Sequence, residues 1–297
     1  MRFGIMAMQL NSLVPDNLTT EEALIHVATY NLVHPARELH QAGFNPIELG
    51  YDLGILLPHL YSPEAIEGLL ALKSETDVRY TIHLPLWSVE PSTPLNPVRQ
   101  GSVQALIEAI LCTLPLEPEV FVLHATGAMA AEFYHMNIPE LARNYLLQQF
   151  QYGAKESLKM ILAETGIPSR QIAIETIQFP LPMTLELAEE LDLSICFDTG
   201  HVLVGFSGPV DFYESLELCL PRLGEVHLHD GTDCKRPGEI GYGKDHKALG
   251  TGDLDIERFL GRLEDAGFNG PIIFELQLHQ ALESMNFIHS RYPHFIG

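Results

Sequence analysis

The sequence predicts a (β/α)8 barrel. Short apolar runs alternate with longer amphipathic segments along the whole chain. Eight apolar runs with seven helical segments between them can be counted, and eight strands close a parallel barrel. The chain is also long enough, at 297 residues, to bury one large core.

Strands are expected at Phe3–Leu10, Pro46–Leu49, Tyr80–Leu84, Val120–His124, Gln171–Glu175, Leu193–Asp198, Glu225–His229 and Ile272–Leu276. Each is a short apolar run of the kind that both faces of a parallel sheet bury. Helices are expected between them. Thr20–Gln41 opens on an N-cap residue and an acidic first turn. Ser62–Leu72 carries Ile66, Leu69 and Leu70 at helical spacing, and Val98–Leu114, Ile138–Thr165, Met183–Leu191, Pro209–Leu220 and Ile256–Ala266 follow. A doubly wound open sheet has fewer strands and a glycine-rich turn after the first, which MAMQLNS is not. Three segments read as long loops: Pro85–Pro97, Gly231–Gly252 and the tail after Leu278. The first two follow strands three and seven, so they should border the mouth where barrels carry their active sites. No linker or composition shift interrupts the pattern, and residues 1–297 are expected to form one domain.

The bulk numbers bound the function. The formal net charge is −22, from 39 acidic and 17 basic residues. Nucleic-acid grip needs basic patches that displace counterions, and the densest basic stretch is only Lys235-Arg236. Nucleic acid is therefore not an expected partner. No apolar run is long enough to span a bilayer, and the start does not read as a signal peptide. Cys112, Cys196, Cys219 and Cys234 form no CxxC pair, which suits reduced thiols and a cytoplasmic location. The oligomeric state is not legible.

Nine side chains of metal-ligand type fall at or just beyond the carboxyl ends of these strands: His83, His124, Glu175, Asp198, His201, His227, Asp245, His246 and Glu275. One His or Glu ending an apolar strand is ordinarily a hydrogen-bonded core residue. Six strand ends carrying one at the same side of a barrel call for another cause. Imidazoles and carboxylates gathered in one place repel or stay unsatisfied unless a cation joins them. Gly200 in DTGH lets the chain turn so that Asp198 and His201 can reach one centre. In HLHD, His227 is the deeper residue and the expected ligand; His229 and Asp230 lie nearer the rim and are expected to contact substrate or orient ligands. Trp87, Phe133, Tyr134 and Phe206 are candidate walls for a bulky, partly apolar ligand, with Trp87 assigned to substrate binding. The donor set suits zinc, manganese or iron.

Together IHLP around His83, LHATG around His124, IETI around Glu175, FDTGH at 197–201, VHLHDG at 226–231, DHKALGTGDLD at 245–255 and FEL at 274–276 resemble the xylose-isomerase-like barrel superfamily. That group includes the endonuclease IV (AP endonuclease 2) proteins and many sugar isomerases and epimerases. The resemblance spans nearly the whole chain. In the mononuclear sugar enzymes it implies one cation on Glu175, Asp198, His227 and Glu275. In the endonuclease-IV-like phosphodiesterases it implies up to three divalent ions: one on His83, His124 and Glu175; a second on Glu175, Asp198, His227 and Glu275; a third on His201, Asp245 and His246. Endonuclease IV separates the Asp and His of the last pair by one residue, whereas here they are adjacent.

Clustered cations suit phosphate ester cleavage by a metal-bound hydroxide near Glu175. The acidic charge disfavours abasic DNA, so a small-molecule phosphodiester is the expected substrate. The loop HLPLWSVEPSTP also resembles the cobamide-remodelling phosphodiesterases, which clip the nucleotide loop of corrinoids. The alternative is a sugar isomerase or epimerase, in which Glu175 and Glu275 exchange protons with substrate and His201 contacts it. A non-catalytic binding barrel is the third possibility.

Overall fold

The structure, a computed structural model, describes residues 1–6, 18–233 and 240–296. Eight parallel strands close in chain order: β1 (Arg2–Met6), β2 (Ile47–Gly50), β3 (Tyr80–His83), β4 (Phe121–Leu123), β5 (Ile172–Glu175), β6 (Ser194–Asp198), β7 (Leu223–His227) and β8 (Pro271–Phe274), with β8 returning to β1. Most expected strands lie within two residues of these bounds. The stretch 7–10 of the first falls outside the described residues, as do Cys234, Lys235 and Arg236.

Parallel register decides what shares a level. Asp198 pairs with His227, Glu175 with Cys196 and Glu48 with Thr81. Alternation then sends Glu225 and His227 inward from β7, and Cys196 and Asp198 inward from β6. Small and polar side chains occupy the interior: Val122, Ala173 and Cys196 pack together, and Glu48, Thr81 and Glu225 are completely buried. The large apolar side chains point the other way, toward the helices. Phe197 lies 5.5 Å from Phe212 and 6.3 Å from Phe259 by ring centroids, so the residue beside Asp198 is set in an aromatic cluster outside the barrel.

The helices depart from expectation in two places. The segment expected as one helix, Thr20–Gln41, is two: Thr20–Thr29 and Val33–Gln41. Pro35 is the cause. Inside a continuous helix it would lack the N–H for the carbonyl four residues back and its ring would strike that carbonyl; restarting at Val33 puts it in a first turn. The tail after Leu278, expected as loop, is a helix, Leu278–Arg291, opened by a Gln277/Gln280 capping box and burying Ala281, Ser284 and Ile288. Short helices at Asp52–Leu56, Ala128–His135 and Thr199–Leu203 also stand in what read as connections. No helix among the described residues is long and apolar enough to cross a membrane.

The aromatic cluster behind β6 is testable. Phe259→Ala is expected to cost roughly 3–5 kcal/mol in urea unfolding. A loss below about 1 kcal/mol would show that the ring is not close-packed.

Candidate metal centre

The strand ends bring the nine residues to one mouth. His83, Glu175, Asp198 and His227 are the last residues of their strands, and His124 and Glu275 follow β4 and β8 directly. Glu175 stands at the centre. Its Oε2 is 2.8 Å from His124 Nε2 and 3.3 Å from His83 Nε2, and its Oε1 is 3.0 Å from His201 Nδ1.

A second set faces the same carboxylate. His227 Nδ1 lies 3.6 Å from Glu175 Oε2, 3.6 Å from Glu275 Oε2 and 3.7 Å from Asp198 Oδ2. These gaps are too long for hydrogen bonds. They match the ~3.4 Å that separates tetrahedral ligands each ~2.1 Å from a common ion. Both ring nitrogens of His227 are buried without a hydrogen-bond partner. Buried polar atoms left unpaired in this way suit a cation as their partner. The donor chemistry and the orphaned atoms both fit divalent cations, on His83–His124–Glu175 and on Glu175–Asp198–His227 with Glu275 alongside.

The third grouping differs from the expected His201, Asp245 and His246. The atoms that converge within 4.8 Å belong to His201, His229, His246 and Glu275. Asp245 stands beside them, its Oδ2 3.2 Å from His246 Nδ1 and 3.7 Å from His201 Nε2.

The charges respond to this crowding. Burial alone would raise the Glu175 carboxyl; the imidazoles of His124, His201 and His83 overcome it and hold the group well below its ordinary range. Glu275 is likewise brought to about 2, against burial, chiefly by His227. Burial disfavours the His83 and His246 cations, yet the surrounding carboxylates raise the two to about 9 and about 11. The mouth is therefore a place that demands positive charge.

Sequence reasoning missed the floor of the site. Glu48 Oε1 lies 3.4 Å and Glu225 Oε1 3.7 Å from His227 Nε2, and Thr81 Oγ1 contacts both carboxyls. Burial and then the Glu48 charge push the Glu225 carboxyl well above its usual range, while Glu48, despite burial, is kept low by His227. One acid and one carboxylate thus sit behind the ligand ring. For Glu225 a signal was available, since it shares the inward parity of His227.

The expected substrate residues divide. Trp87 lines a cavity of about 730 Å³ beside His124, together with Met136, Ile177, Gln178 and Tyr242. No lysine or arginine lines it among the described residues. Phe133 and Tyr134 do not line it; they pack into a separate cluster with Phe150 and Phe179. Phe206 backs His201, ring centroids 5.0 Å apart. Asp230 is a correction. Its carboxylate is fully buried and accepts from the N–H groups of Gly231, Gly250, Gly252 and Leu254, so it ties the loop rather than meeting substrate.

The xylose isomerase-like TIM barrel family model matches residues 36–291, and the chain belongs to that family. An uncharacterised protein of Methanocaldococcus jannaschii, MJ1311, is 26% identical over 226 residues, 73% of this chain and 71% of that protein. Among solved structures, a D-tagatose 3-epimerase-like protein superposes with a TM-score of 0.69 at 24% identity, covering 98% of this chain and 96% of its own. Endonuclease IV from Thermus thermophilus superposes with a TM-score of 0.61 at 17% identity, covering 98% of both. Likeness at these identities extends to the fold.

Removing the loop tie should be visible in stability. Asp230→Ala leaves four buried N–H groups without their acceptor and is expected to cost on the order of 3 kcal/mol in urea unfolding. A change under about 0.5 kcal/mol would refute the tie.

Proposed function

We propose that this chain is a divalent-metal-dependent hydrolase that cleaves a phosphodiester within a small molecule, the nucleotide loop of a cobamide being a candidate. One observation carries the reading. Glu175 Oε2 is shared between the His83–His124 pair and the His227 set, so two ion sites adjoin through one carboxylate. Divalent cations held by His83, His124 and Glu175 and by Glu175, Asp198, His227 and Glu275 would supply Lewis acidity toward a phosphoryl group and an activated water.

The chain's own groups supply the rest. Glu175 bridges the two sets, and Glu275 and Asp198 complete the second. His201 projects into the same mouth against Glu175 and Asp198. The cavity beside His124 is mostly apolar and offers Trp87, Met136 and Ile177 to a bulky neighbour of the reacting phosphate. The net charge of −22 disfavours a polyanionic substrate such as DNA. Cys196, buried inside the barrel with its thiol pushed well above its ordinary range by burial, is unsuited to act as nucleophile.

A second reading has its own support. Glu175, Asp198, His227 and Glu275 make a complete mononuclear set, and a protein of similar fold is described as D-tagatose 3-epimerase-like. In that reading Glu175 and Glu275 are the acid–base pair and His201 holds the sugar.

Metal counting separates the two. The hydrolase reading expects at least two zinc, manganese or iron ions per chain by elemental analysis, and phosphodiester cleavage in a screen that includes corrinoids. His124→Ala should shed one ion and lower that cleavage at least ~100-fold, a loss of roughly 3 kcal/mol in transition-state stabilisation. A single ion in a fully loaded sample, with ketose interconversion indifferent to His124→Ala, would replace it with the sugar-isomerase reading.

A further inference from the structure

Both ring nitrogens of His229 have hydrogen-bond partners, and one of them is a backbone N–H. The backbone N–H of His246 donates to His229 Nδ1 at 2.9 Å. An N–H can be received only by a nitrogen that carries a lone pair, so Nδ1 is unprotonated and the ring proton is on Nε2. That Nε2 lies 3.0 Å from Asp198 Oδ2, and the bond therefore runs from imidazole to carboxylate. With its proton directed at Asp198 and its lone pair held by the main chain, His229 has no free lone pair for a cation, although it stands among atoms close enough to share one.

We infer that His229 is a positioning residue: it fixes the Asp198 carboxylate for metal binding and couples that ligand to the loop bearing Asp245 and His246. The inference rests on the metal centre common to both functional readings, not on the choice between them.

The surroundings are built for this. His229 is completely buried. Its main chain is gripped by the Thr199 hydroxyl, which donates to the His229 carbonyl at 2.6 Å and accepts from its N–H at 3.1 Å. Gly200 is required beneath the ring, since a Cβ there would come within 2.2 Å of it. The His246 ring stacks on that of His229, centroids 4.2 Å apart and planes 12° from parallel. His246 itself has φ 51°, a left-handed backbone that a residue with a side chain adopts only when held. The bond from its N–H to His229 is one such hold. Asp198 Oδ1 meanwhile accepts from His201 N–H at 2.7 Å, so each oxygen of this ligand is oriented by a separate donor. Groups that orient a metal ligand in this way typically change metal affinity 10–100-fold when lost.

The test is cobalt(II) titration of the metal-free protein, read by visible absorption, for wild type and three variants. His229→Gln carries an amide N–H to the position of Nε2–H. His229→Phe keeps a ring between Gly200 and His246 but makes neither hydrogen bond. His229→Ala removes both ring and bonds. Thermal melting of each metal-free variant checks folding. Positioning expects Phe and Ala to weaken cobalt binding about 10–100-fold with an altered ligand-field band, and Gln to stay within about threefold of wild type. If Ala does not fold, Phe against Gln still decides. Cobalt binding by His229→Phe equal to wild type would overturn the inference and leave His229 a packing residue. Failure of wild type to bind cobalt would instead overturn the metal centre itself.

Discussion

Everything at the mouth of this barrel follows from one constraint: buried carboxylates and imidazoles drawn together need compensating positive charge. Glu175, Asp198 and Glu275 converge on His227 Nδ1 at distances too long for hydrogen bonds. Glu175 and Asp198 are closed off from solvent, and the raised imidazoles around them answer that demand for charge. The side chains remain in this arrangement because strands, not local attraction, fix their positions. The barrel stabilises the arrangement from outside through the apolar layer between strands and helices, where Phe197, Phe212 and Phe259 pack. The interior can then be as polar as Glu48, Thr81 and Glu225 make it.

That separation explains how much was legible in the sequence. The ligand candidates terminate apolar runs, and parallel strands of one barrel necessarily end at one face. His83, Glu175, Asp198 and His227 could therefore be placed together from spacing alone. Glu48 could not, because it lies inside its strand and nothing local distinguishes an inward carboxylate from an outward one. The role of Asp230 was equally hidden. Its partners Gly250, Gly252 and Leu254 are about twenty residues ahead, and a backbone N–H leaves no trace in residue identity. The break before Pro35 was readable from proline chemistry. The final helix was readable too, since Leu278, Ala281, Met285 and Ile288 recur at helical spacing.

The family also shows why fold and chemistry part company. The barrel is similar in shape to both an epimerase-like protein and an endonuclease, so its shape alone does not name a reaction. At this mouth His83 and His124 add a second set of side chains to the one around His227, and an apolar cavity begins at His124.

Asp230 has a broader meaning. By gathering Gly231, Gly250, Gly252 and Leu254 onto one carboxylate, with Thr232 N–H on the Lys244 carbonyl and Lys247 paired to Asp230 itself, the fold pins both feet of a long excursion to a single point. Asp245 and His246, which lie between those footings, are held at the mouth by the same clamp.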